Sequence, residues 1–70
     1  MSKRDRLQNQ LKVYRAKHEL TQAELAKRVD VARKTISRIE SSGFVPSTEL
    51  ALKLARELDA RVGELFQLPE

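Results

Sequence analysis

Apolar residues recur along this chain at three- and four-residue intervals, the spacing of a helical stripe rather than a strand alternation. Leu7, Leu11 and Tyr14, with His18 on the same line, predict a helix from about Asp5 to His18, with Asp5 able to cap its start. Leu20 precedes Thr21-Gln22-Ala23-Glu24, which fits a capping box with Thr21 as N-cap and Glu24 reaching back. The helix that follows runs to about Val29 and turns Leu25, Ala26 and Val29 inward. Asp30 interrupts the pattern, and a third helix starts within two or three residues, over Val31 to Ser41. At about 100° per residue, Ile36 and Ile39 share one side of it with Ala32 between them. Lys34, Ser37, Arg38 and Ser41 fall on the other side, flanked by Arg33.

After Glu40 the run Ser41-Ser42-Gly43-Phe44-Val45-Pro46 reads as a loop, with Gly43 as a stop and Pro46 as a restart. Ser47 is a good N-cap for a helix from Thr48 to about Leu58, whose inward positions are Leu50, Ala51, Leu54, Ala55 and Leu58. Asp59-Ala60 break it, and Val62, Leu65 and Phe66 predict a short last helix. The pattern predicts five helices and no strand, an all-α fold. The second and third helices are joined so tightly that they must cross steeply. Ala26 supplies the small residue that a close crossing needs.

Seventy residues make one domain, with residues 1–4 expected to fray at the start of a basic leader, Met1 to Arg6. The 40% apolar and 34% charged content is that of a globular chain. Without cysteine, a disulfide framework or thiolate metal site is excluded. No apolar run reaches the length of a membrane span and no signal segment is evident, which predicts a cytoplasmic protein. The net charge of +4 is uneven: residues 1–40 carry 11 Lys/Arg against 5 Asp/Glu, and residues 41–70 carry 3 against 5. A basic half suits a polyanionic partner, and equally suits a plain solvated surface.

Candidate chemistry narrows the choice. His18 has no second His and no Cys beside it, so it reads as a helix-end residue near the C-terminal dipole rather than a metal ligand. There is no His pair, phosphate-cradling Gly loop or acidic motif for an enzyme, and no cofactor or small-molecule ligand is implied. RNA binding lacks exposed stacking residues, because Tyr14 and Phe66 fall at core spacing. The third helix, apolar behind and basic in front, suits the major groove of DNA, though any surface helix with basic residues has the same pattern.

The stretch TQAELAKRVDVARKTISRIE, Thr21 to Glu40, resembles the helix-turn-helix of the Cro and phage-repressor class, the Xre family. The pattern places apolar residues at Leu25, Val29, Val31, Ile36 and Ile39 and a small one at Ala26, and includes Gln22 and Glu40 by identity. Downstream, the run from Val45 to Phe66 is similar to the two closing helices of the same family. The resemblance implies a five-helix lambda-repressor-like DNA-binding domain with its recognition helix at about residues 32–41. By the same resemblance Arg33, Lys34, Ser37 and Arg38 contact bases, and Gln22, Ser41 and Ser42 contact phosphates. Arg15 and Glu40 match a structural ion pair between the first helix and the end of the recognition helix.

Three positions depart from the family pattern. Asp30 stands where a turn glycine is usual and must accept a left-handed backbone. Ala32 replaces the Ser or Thr cap of the recognition helix. Ser42 holds the loop's usual glycine position, with Gly43 one residue later.

The implied function is sequence-specific binding of double-stranded DNA by a small transcriptional regulator of repressor type. It would bind as a homodimer on a palindromic operator with half-sites about 34 Å apart. The candidate dimer surface is Phe44, Val45, Val62, Phe66 and Leu68, residues over which the core has a competing claim. The alternative is a protein-interaction role on the same fold, as an antitoxin or adaptor. Against an antitoxin, only Leu68-Pro69-Glu70 follow the last helix as a tail.

Overall fold

Helices form where the apolar spacing places them: α1 at Leu11–Lys17, α2 at Gln22–Arg28, α3 at Arg33–Glu40, α4 at Thr48–Glu57 and α5 at Val62–Leu65. The computed structural model describes residues 7–69, so the basic leader and Asp5 lie outside the described residues. The Thr21–Glu24 capping box is present in both directions: Glu24 N–H donates to Thr21 Oγ1 at 3.0 Å, and Thr21 N–H to Glu24 Oε1 at 2.9 Å. Ser47 caps α4 by accepting from Leu50 N–H at 3.1 Å.

Two expectations are corrected at the start of the chain. The first helix begins at Leu11, and a short strand precedes it: β1 at Gln8–Asn9 pairs antiparallel with β2 at Phe66–Gln67, matching Gln8 to Gln67 and Asn9 to Phe66. The reading without strands misses this pair, because two polar residues at 8 and 9 carry no period-2 signal. Leu7 still packs on the core, from outside the helix. Gln10 is the N-cap and offers no side-chain acceptor; one residue earlier, Asn9 Oδ1 accepts from Leu11 N–H at 3.1 Å.

The core collects the inward positions of all five helices. Leu11, Leu25, Ile36, Ile39, Leu54, Leu58 and Leu65 are all but fully buried, each contributing roughly 1.5–3 kcal/mol. Ala26 is buried in the α2–α3 unit, whose short connection the small side chain permits. Ala32 is exposed and outside α3 instead of sharing the Ile36–Ile39 face. Among the described residues no helix is long and apolar enough to cross a membrane.

Four helices end in the same way, and none of them uses glycine. After α1, α2, α3 and α4 the chain turns left-handed at Glu19, Asp30, Ser42 and Asp59, with φ of 55°, 59°, 63° and 49°. Each turn is closed by a paired 6→1 and 5→2 bond; after α2 these are Val31 N–H to the Ala26 carbonyl and Asp30 N–H to that of Lys27. Gly43 is therefore not the left-handed stop expected of it. Ser42 holds that conformation, and neither glycine has a positive φ among the described residues. His18 is the helix-end residue expected: it is the C-cap of α1, and its Nε2 lies 2.9 Å from the Leu58 carbonyl at the end of α4.

Ala32 is the weak start foreseen for α3. It holds extended N-cap geometry (φ −72°, ψ 148°) with no side-chain acceptor to offer. Ala32→Ser is expected to add about 1 kcal/mol of stability, read as a rise in the thermal midpoint. An unchanged midpoint would show that solvent already satisfies the first amides of α3.

Candidate nucleic-acid interface

The third helix divides as its sequence requires. Ile36 and Ile39 are buried, while Arg33, Lys34 and Arg38 are exposed and Ser37 is half-buried between the two faces. Among the described residues, none of these three cations has a carboxylate within salt-bridge distance; the pairs formed are Arg15–Glu40, Lys53–Glu49 and Arg56–Glu57. The exposed face of α3 is thus positive and unneutralised.

What fixes the helix from behind is a polar network centred on Glu40. Arg15 of α1 grips its carboxylate side-on, Nε to Oε2 at 2.6 Å and Nη2 to Oε1 at 3.2 Å, and Nη1 donates to the Leu20 carbonyl at 2.7 Å. Gln22 of α2 donates from Nε2 to Glu40 Oε1 at 3.0 Å. Side-chain exposure is 15% for Arg15 and 6% for Glu40, so the pair is largely shielded from water. Burial alone would raise the Glu40 carboxyl; the bonds from Arg15 and Gln22, with the charges of Arg15 and Lys12, hold it below its usual range. The same bond to Glu40 raises the Arg15 guanidinium. Arg15 is thereby committed within the protein.

Two predicted phosphate contacts are partly engaged already. Gln22 accepts from Arg33 Nη1 at 3.3 Å while donating to Glu40, which leaves its second amide N–H for an outside acceptor. Ser41 donates its hydroxyl to the Arg38 carbonyl at 3.1 Å. Ser42 is half-buried and accepts from Asn9 Nδ2 at 3.5 Å, and among the described residues its hydroxyl donates to nothing.

Asn9 is a positioning residue that sequence reasoning missed. Besides accepting from the first amide of α1, it donates from Nδ2 to the Ile39 carbonyl at 2.9 Å, so strand β1 holds the C-terminal end of α3. No signal in the sequence marks this role, because the partner carbonyl lies 30 residues away.

Acid should loosen the arrangement. Besides Glu40, Glu24 is held low by the Thr21 N–H and Glu64 by the Arg61 N–H. Groups with lowered folded values stabilise the fold above the ordinary carboxylate range, and that contribution is lost as the pH falls through it. The thermal midpoint is expected to drop between about pH 5 and pH 3. Glu40→Gln should melt lower near neutrality and converge on the unsubstituted protein in acid. Melting curves that stay parallel would remove Glu40 from this account.

The arrangement has known counterparts. A family model described as Helix-turn-helix matches residues 11–65, most of the chain. The chain belongs to the Xre-type helix-turn-helix family. This is a family of transcriptional regulators with a helix-turn-helix DNA-binding domain, not of enzymes. An uncharacterized HTH-type transcriptional regulator of Methanocaldococcus jannaschii is 43% identical over 60 residues, covering 86% of this chain and 91% of that one. Another, from Archaeoglobus fulgidus, is 42% identical over 64 residues, covering 91% and 90%. A crystal structure of a Bacteroides fragilis protein superposes with a TM-score of 0.79 at 30% identity, over 87% of this chain and 98% of that one. The clp gene regulator ClgR from Corynebacterium glutamicum superposes with a TM-score of 0.72 at 30% identity, over 76% of this chain and 56% of the other. The strands β1 and β2 lie outside the matched residues 11–65.

Proposed function

We propose that this Xre-type protein is a sequence-specific DNA-binding repressor that lays α3 in the major groove and acts in the cytoplasm. The observation that carries the reading is the exposed, unneutralised cationic face of a helix whose back is fixed by Ile36, Ile39 and Glu40. Arg33, Lys34, Ser37 and Arg38 read base edges, with the arginines suited to bidentate bonds with guanine O6 and N7. Gln22 and the Ser41–Ser42 turn contact the flanking phosphates, which set register rather than sequence.

The protein binds a palindromic operator as a homodimer. The partner surface is narrower than the sequence implied, because Phe66 is buried in the core and Val62 is half-buried. Val45 and Leu68 are 67% and 75% exposed, and Leu52 of α4 joins them at 56%. Beside Leu52, an apolar groove of about 210 Å³ runs between Leu7, Pro46, Ala51 and Val62.

Selection of bound sites from a random duplex pool tests the whole reading. A palindromic motif rich in G·C pairs is expected, bound at a dimer's mass in sedimentation. A pool with no enriched sequence would favour the protein-interaction role on the same fold instead.

A further inference from the structure

Arg38 lies in surroundings made by the loop that follows its own helix. The turn at Ser41, Ser42 and Gly43 folds back onto it: Gly43 N–H donates to the Arg38 carbonyl at 2.8 Å, alongside the Ser41 hydroxyl at 3.1 Å. With Ser42 left-handed, the chain then brings Phe44 beside the helix. The Arg38 guanidinium carbon lies 5.7 Å from the centroid of the Phe44 ring, within reach of attraction to the ring face. Phe44 is 40% exposed and is not a member of the buried core.

We propose that Phe44 is a specificity-determining positioning residue, whose ring holds Arg38 in the orientation from which its guanidinium reads a base. The inference rests on the DNA-reading function proposed above. A guanidinium stacks through its planar face and donates hydrogen bonds through its edge. An Arg38 held over the ring keeps its donors for guanine while its long side chain is restrained before DNA arrives. Restraint in advance lowers the ordering cost of binding. Phosphate-driven binding to any sequence gains nothing from it. Phe44 thereby leaves the candidate dimer surface for the reading face.

The test is a double-mutant cycle on the full chain, using the duplex that the unsubstituted protein selects. Phe44→Leu is expected to weaken binding to that duplex about two- to five-fold, and to relax discrimination at the same base pair that Arg38→Ala relaxes. Binding to unrelated duplex, its salt dependence and the thermal midpoint should stay unchanged. Phe44→Trp, which keeps a ring face, should retain affinity. In an Arg38→Ala background, Phe44→Leu should cost nothing further. An equal loss in both backgrounds, or no loss in the unsubstituted one, overturns the inference and leaves the DNA-reading function standing. Failure of the unsubstituted protein to select any site overturns both.

Discussion

Arg15→Ala is expected to lower the unfolding free energy by about 3–5 kcal/mol, because it strands the Glu40 carboxylate in a site nearly closed to water. Only the Gln22 amide would still bond that carboxylate, and the Leu20 carbonyl would lose its donor as well. A 70-residue domain has a total stability of roughly 4–10 kcal/mol, so the substitution removes about half of it. Glu40→Ala should cost somewhat less. The stranded arginine keeps its bond to the Leu20 carbonyl and is the more exposed partner. Replacing both residues by leucine should recover part of the loss, since no buried charge then lacks a partner. Urea denaturation measures all three. Single-mutant losses below about 1 kcal/mol would mean that the pair behaves as an ordinary surface salt bridge.

Arg38→Ala carries the next largest expected effect, a loss of about 1–3 kcal/mol in binding to the selected duplex. Lys12→Ala provides the comparison. It is an exposed cation of α1 outside the α3 face, so removing it should weaken binding by a smaller amount and alike on every sequence. Titrations at one fixed salt concentration separate the two, because salt alone shifts phosphate-driven affinity. Equal losses from the two substitutions would show that α3 supplies only charge, and the assignment of Arg38 to a base would fall.

Much of this was legible in the sequence where neighbours along the chain decide the outcome. The inward residues of α2 and α4, the Thr21–Glu24 box and the Ser47 cap are all local. Each follows from spacing or from chemistry within four residues. The Arg15–Glu40 pair spans 25 residues and came from the family resemblance, not from spacing. Illegible features depend on pairing across the fold. Nothing at Gln8 and Asn9 marks them as partners of Phe66 and Gln67. Nothing in the order of residues shows that Asn9 reaches the Ile39 carbonyl. Phe66 was ambiguous for a similar reason, since helical spacing places it near the core but not which side of it is covered. The bonds of Gln22 to Glu40 and Arg33 join α2 to α3 and depend on the assembled helices, not on neighbours along the chain.

The division of α3 also sets what this protein is free to become. Its last residue is tied to two other helices and its two isoleucines to the core, so the rear of the helix tolerates little change. In front, Arg33 leans on Gln22 and Arg38 on Phe44, which couples each to a second position. Lys34 is exposed, and among the described residues its side chain has no partner. Ser37, though half-buried, likewise makes no side-chain bond among them. If α3 reads DNA as proposed, Lys34 and Ser37 are therefore the two positions of its face that can be changed singly. On the same proposal, a change at Arg33 or Arg38 would have to be made together with Gln22 or Phe44.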